Sequence, residues 1–408
     1  MKTLTELNQK ILDRTAIVVT SKELKARIRN GEILTTEDVD VVTCGTFGVM
    51  SGTAAVLAFQ LGTPGSFSHV LTMKLNDVPA YVGPCPNENN GHVDCIVFGT
   101  SHAENNPDYG GGHLFADLVA GNEVVADIVT DTSRISLNVR LSGMSSSRLI
   151  VTRGAFKNYM AFVNPGDEEV KSIFSTLPLK PKMQGASVSG CGEINPLEND
   201  PLLRFHQMGT QVLVNGGPGL ILGCGTRSSP QKPNLSLSAD MQGMNADFMG
   251  GFITALGAEC LTSVATAIPI LDDDALRFVS VLDEQIPLPV ADIQNRTPFD
   301  TATYADVWQK RDLRITVNAS RCVRDCRDCA KNICPVHAIQ PDLSISKACV
   351  GCMTCVTACP LHVYTANAGE LHVSHTAIPI TLRQSDRVRG EHVSRLLRDK
   401  IRLGSWRF

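Results

Sequence analysis

The stretches CVRDCRDCAKNICP (residues 322–335) and CVGCMTCVTACP (residues 349–360) decide how the C-terminal third of this chain folds. The second spaces its cysteines as Cys349-x2-Cys352-x2-Cys355-x3-Cys359-Pro360, the bacterial run that holds iron–sulfur cubanes. The first, Cys322-x3-Cys326-x2-Cys329-x4-Cys334-Pro335, has one extra residue in its first gap and one in its last. Three cysteines on a tight loop hold three irons of a cubane, and the fourth ligand comes from the other run, so the chain folds around both groups. The spacing therefore predicts two [4Fe–4S] clusters. One takes Cys322, Cys326, Cys329 and Cys359; the other takes Cys349, Cys352, Cys355 and Cys334. Four-cysteine zinc sites carry no paired Cys-Pro endings, which makes zinc the weaker reading.

The segment around these runs, residues 313–375, resembles the two-cluster bacterial ferredoxins. The resemblance implies a small βαββαβ domain, with strands at 313–317, 343–346 and 371–373. Beyond it, residues 380–408 form a basic tail. Its stretch from 383 onward reads as an amphipathic helix with Val393, Leu396, Leu397 and Ile401 on one stripe, which predicts packing against the protein.

The chain has 408 residues and 14 cysteines, eight of them in the two runs. Such clustering favours metal over disulfides. Charge is uneven: the balance is +7 over residues 301–408 and −11 over residues 1–300. A basic C-terminal third offsets the negative charge of clusters or meets an acidic partner. The basic residues are not interleaved with aromatics and form no nucleic-acid motif, so no nucleic-acid partner is expected. No apolar run reaches the length of a membrane span, and the polar N-terminus lacks the apolar core of a secretory signal. A cytoplasmic location is the expectation, with no membrane partner.

Residues 1–300 read as a mixed α/β (α+β) domain. Leu4, Leu7, Ile11, Leu24 and Ile28 predict helix over 1–30. Residues 38–60 read as a buried strand, a Gly-rich turn and a helix of small residues. Strands follow at 69–75, 94–98, 124–128 and 135–141, with a helix at 114–120 between them. Residues 212–225 read as strand–turn–strand, a helix is expected at 251–256, and 287–312 reads as a linker to the cysteine-rich domain.

Cys44 ends an apolar strand and is followed by Gly45-Thr46-Phe47-Gly48. A thiol there could stand at the mouth of a site, near helix-end N–H groups that lower its pKa; a buried, inert cysteine is the bland alternative. His113 opens a helix after three glycines and is a candidate general acid. Arg227 is a candidate for an anionic substrate group. Cys85 and Cys95, with His92 between them, are a weak metal candidate, and Cys260 reads as core.

Six stretches carry a wider resemblance: residues 42–53 (VTCGTFGVMSGT), 74–81 (KLNDVPAY), 108–113 (DYGGGH), 116–122 (ADLVAGN), 190–201 (GCGEINPLENDP) and 216–226. They look like the homocysteine biosynthesis, sulfur-incorporation family, and with the fused ferredoxin-like segment the chain resembles the methanogenesis marker 16 proteins. The resemblance implies reductive conversion of an aldehyde to a thiol, with Cys44 as the sulfur-bearing residue. The partners it implies are a small aldehyde, a sulfide or persulfide donor and an external low-potential electron donor; a homo-oligomer stays open. The preferred substrate is sulfoacetaldehyde, giving coenzyme M; aspartate semialdehyde, giving homocysteine, is the alternative, as is a non-enzymatic electron-transfer or sulfur-relay role. The family's second functional cysteine falls at Thr132, whose hydroxyl cannot carry sulfane sulfur. Cys191 and Cys224 are the candidates to replace it.

Overall fold

The computed structural model describes residues 2–83, 88–309, 311, 313–323, 326 and 329–408. Two helices, not one, occupy the N-terminus. Leu4–Leu12 and Ser21–Arg29 each begin on a threonine whose hydroxyl and a glutamate three residues on close a capping box, Thr3 with Glu6 and Thr20 with Glu23. The short strand Val18–Thr20 separates them and pairs in parallel with Val41–Val49.

A fourteen-stranded sheet forms the body of the protein. From the Val18–Thr20 edge it runs through Val41–Val49, Gly257–Pro269, Gln211–Val214, Gly217–Cys224, Asn234–Asp240, Ser146–Phe156 and Thr53–Gln60. It continues through His92–Phe98, Val78–Val82, Val70–Leu75 and Val124–Thr130 to Arg134–Val139, and Gly250–Thr254 joins from the side of Gly257–Pro269. Two expected helices are strands here. Residues 53–60 alternate buried with less buried positions, the period of a sheet with one face in the core, and Gly250–Thr254 pairs with Gly257–Pro269 through a tight turn.

A second sheet has six strands, in the order Pro298–Thr303, Pro287–Asp292, Ala161–Val163, Ala186–Val188, Thr376–Arg383 and Glu370–Val373. It corrects two expectations. The supposed linker at 287–312 supplies two of its strands and the helix Tyr304–Trp308. Residues 371–373 belong to this sheet and not to the cysteine-rich segment. Among the described residues that segment forms the two-stranded pair Thr316–Val317 with Tyr364–Thr365, the bridge Ile339–Ile345 and the helix Thr354–Ala358, not the full βαββαβ pattern. The chain then returns to the body, so the cysteine-rich segment is inserted between elements of the larger fold.

The tail opens on the end of strand Thr376–Arg383 and continues as helix Arg387–Arg402. Val393, Leu397 and Ile401 are fully buried against Leu7, Ile11, Val41 and Ala265, so the stripe packs on the sheet as expected. Gly45 permits that approach: a Cβ there would lie 2.0 Å from the Gly390 carbonyl oxygen. Gly45→Ala should therefore lower unfolding stability by about 3 kcal/mol through overpacking, read as a drop in denaturant midpoint with an unchanged slope.

Candidate functional site

Cys44 lies mid-strand in Val41–Val49, paired with Thr266, and is fully buried. On one side it packs with Leu24, Val39, Val42 and Ile268. On the other stands Lys25, also fully buried, whose Nζ donates to the Asn199 side-chain oxygen at 2.8 Å and to the Val279 carbonyl. Burial pushes the Cys44 thiol up to about 12, opposed by the Lys25 charge and by the Ser21 hydroxyl. Burial likewise draws Lys25 down to about 8. Of the two readings open in the sequence, the structure gives the buried cysteine and not the exposed, acidified thiol: removal from water outweighs the nearby cation. Lys25 was missed in the sequence, although Ser21, Leu24, Lys25 and Ile28 share one helical stripe.

Cys191 comes to the same strand. The Thr46 hydroxyl donates to its Sγ at 3.6 Å, and Sγ reaches the Phe47 carbonyl oxygen at 3.6 Å. Thr46 is two residues beyond Cys44 and so shares its strand face, about 7 Å further along the strand. Burial raises the Cys191 thiol as well. Arg387, the first residue of the tail helix, fixes the loop after Cys191 by pairing with Glu193 at 2.9 Å and Asp283 at 2.6 Å, while Arg29 holds the other Glu193 oxygen at 2.6 Å.

Other candidates are not gathered there. Cys224 is exposed at the end of Gly217–Cys224, three strands along from Val41–Val49. Thr132 is exposed in the turn before Arg134–Val139, at the opposite edge of the sheet. Cys95 is fully buried among the core of the large sheet, which raises its thiol to about 12; Cys85, its proposed partner, lies outside the described residues. Cys260 is core, as expected.

His113 stands in the first turn of helix Gly111–Val119. Its Nδ1 accepts from the Gly110 N–H at 3.2 Å, its ring stacks on Tyr109 at 5.5 Å, and its Nε2 is buried without a partner. Burial first, then the nearby His337, draws the imidazole down to about 4. A protonated acid is therefore corrected to a neutral ring, and the Gly110 bond assigns its proton to Nε2. His113 lines a cavity of about 340 Å³ shared with Val336 and Val350 of the cysteine-rich segment.

In that segment, Cys334, Cys349, Cys352 and Cys355 line a single small cavity. The Ala338 N–H lies 3.3 Å from the Cys334 Sγ, the Gly351 N–H 3.4 Å from the Cys349 Sγ, and the Thr354 hydroxyl 3.2 Å from the Cys352 Sγ. Cys322, Cys329 and Cys359 sit with Cys355 around Tyr364. Among the described residues no three Cys, His, Asp or Glu side chains form a single-ion site. Sulfur donors spread round one cavity, with N–H groups aimed at them, fit a polynuclear iron–sulfur group.

Cys352 and Val350 share one buried apolar cluster with Phe47, Phe252, Leu261 and Leu382. The Arg383 N–H donates to the Cys352 carbonyl at 3.0 Å, and the Asp386 N–H to the Phe47 carbonyl at 3.0 Å. The strand that holds Cys44 thus abuts the cysteine-rich segment. A cleft of about 930 Å³ opens beside this junction, with Lys22, Arg314, Lys347, Arg387 and Arg395 around Cys349. Arg227 lines a separate cavity of about 340 Å³ together with Arg153 and Arg296, which were not foreseen.

Comparison with known proteins agrees with the sequence resemblance. An uncharacterized protein of Methanothermobacter thermautotrophicus is 44% identical over 98% of this chain and 93% of its own length. An uncharacterized protein of Methanocaldococcus jannaschii is 39% identical over 97% of this chain and all of its own length. An L-aspartate semialdehyde sulfurtransferase of the same organism is 29% identical over 78% of this chain and 64% of its own length. No solved structure matches the chain. The sequence model of the homocysteine biosynthesis enzyme, sulfur-incorporation family matches residues 16–408, and the chain belongs to that family of sulfurtransferase enzymes.

Proposed function

We propose that the protein inserts sulfur reductively into a small acidic aldehyde, with the Cys44 thiol adding to the aldehyde carbon and being released again, sulfide supplying the sulfur and two [4Fe–4S] clusters supplying the electrons. The balanced change is aldehyde plus hydrogen sulfide plus two electrons and two protons, giving thiol and water. The observation that supports this most is that the strand holding Cys44 also places Phe47, on its opposite face, in one apolar cluster with Cys352 of the four-cysteine cavity. Cys334, Cys349, Cys352 and Cys355 would hold one cluster; Cys322, Cys326, Cys329 and Cys359 would hold the other. When bound, the pair supplies two electrons one at a time.

The chain's own groups do the rest. Lys25 is the cation placed to favour an anionic sulfur on Cys44, against the cost of burial. Cys191, bonded by Thr46 of the same strand face, is the second thiol nearby. His113 lines the neighbouring cavity, and its Nε2–H, buried without a partner, is the donor available to a substrate oxygen there. Because Cys44 is sealed in this conformation, the aldehyde reaches it only when the residues around it open.

Aspartate semialdehyde is the substrate best supported, because two relatives are named for it. Sulfoacetaldehyde stays the second reading, since Thr132 stands where the resemblance expects a cysteine. An anaerobic assay of the cluster-loaded protein with sulfide, a low-potential reductant and each aldehyde separately tests the proposal. Thiol product from one of the two is expected; none from either would remove the reaction.

A further inference from the structure

We propose that the cavity between Arg153, Arg227 and Arg296 is a binding site for a small oxyanion, the carboxylate or sulfonate of an acidic ligand. It encloses about 340 Å³, within the range of small-molecule sites. Three guanidinium groups line it, and among the described residues no aspartate or glutamate does. Arg153 stands over the rings of Phe156 and Tyr159, 5.4 Å from each, and Arg296 over Phe174 at 4.9 Å. Such stacking leaves the guanidinium edges free to donate.

Two features mark a waiting anion. The Arg153 Nε is buried and makes no hydrogen bond, an arrangement that costs free energy unless something accepts from it. Arg227 is held in the left-handed region, at φ 58°, where a non-glycine residue is uncommon. Burial foremost, and then the Arg227 charge, act against the Arg153 cation, with Tyr159 offsetting them in part. One oxyanion would relieve that repulsion and satisfy the free donors by bidentate contacts.

The cavity's remaining polar lining ties it to the chemistry. Ser189 precedes Cys191 by two residues, and Gln384 follows Arg383, whose N–H meets Cys352. As the subsite for the acid group of the aldehyde, the cavity rests on the function proposed above; as an anion site it stands alone.

The test is calorimetric titration of the cluster-loaded protein with 2-hydroxyethanesulfonate and, separately, 3-hydroxypropanoate, neither of which is an aldehyde. Arg227→Gln and Arg296→Gln are each expected to weaken binding by about tenfold or more. Arg395→Gln, in the larger cleft, should leave it unchanged. The tighter of the two probes identifies the acid as sulfonate or carboxylate. Unchanged binding in both cavity variants, or equal weakening by Arg395→Gln, would overturn the proposal. Loss of binding in a protein that forms no thiol keeps the cavity and removes the reaction. Thiol formation with the same KM in both variants removes the cavity and keeps the reaction.

Discussion

Cys44→Ser is expected to cut thiol formation by at least about 100-fold, because a hydroxyl is a far weaker nucleophile toward the aldehyde carbon than a thiol and does not ionise near neutral pH. The exchange is close to isosteric, and the site already holds hydroxyls at Ser21 and Thr266. The variant should therefore fold, keep its iron and show unchanged cluster absorbance. Lys25→Met should give a smaller loss: it removes the cation that offsets burial of an anionic sulfur, yet leaves the thiol in place. Cys191→Ser separates the roles of the two cysteines. Activity that survives in Cys44→Ser and vanishes in Cys191→Ser would move the nucleophile's role to Cys191. Measuring product thiol with iron content for each variant decides between them.

Cys352→Ala is the second large effect. Cys352 shares its cavity with Cys334, Cys349 and Cys355 and an apolar cluster with Phe47, so its loss should remove one cluster and uncouple the other from the large domain. Iron per chain is expected to fall from about eight to about four, the content of one cubane, with activity lost. Cys224→Ser, at an exposed cysteine outside the runs, should keep all the iron and full activity. An unchanged iron content in Cys352→Ala would contradict the ligand assignment.

The gathering of Cys334, Cys349, Cys352 and Cys355 round one cavity is legible in the sequence because cysteine spacing is a local property. The tail helix is equally plain: Val393, Leu397 and Ile401 recur at helical period and are buried together. The N-terminal helix break is also written locally, in the Thr20–Glu23 capping box, but the apolar stripes on either side mask it. Residues 53–60 mislead because alanine suits a helix, whereas the sheet on both sides sets the period. Pro287 and Pro289 suggest a linker. They are tolerated because the parallel neighbour pairs only from Val290 to Asp292, beyond both prolines.

The candidate site is legible in the position of Cys44 and not in that residue's environment. Cys44 can be picked out, but burial, which reverses the expected direction of its pKa, depends on helix Ser21–Arg29 and on residues near 199 and 279 folding over it. The arginine cavity leaves no local trace. Its three cations come from positions 153, 227 and 296, and only the sheet topology brings them together.

A single-turnover experiment tests the central claim most directly. The cluster-loaded protein is reduced by two electrons, freed of reductant and mixed anaerobically with sulfide and the active aldehyde, while cluster spectra and thiol are followed together. The account predicts about one thiol per chain, formed as both clusters reoxidise. Clusters that stay reduced while aldehyde and sulfide are present, or thiol that forms without their reoxidation, would contradict it.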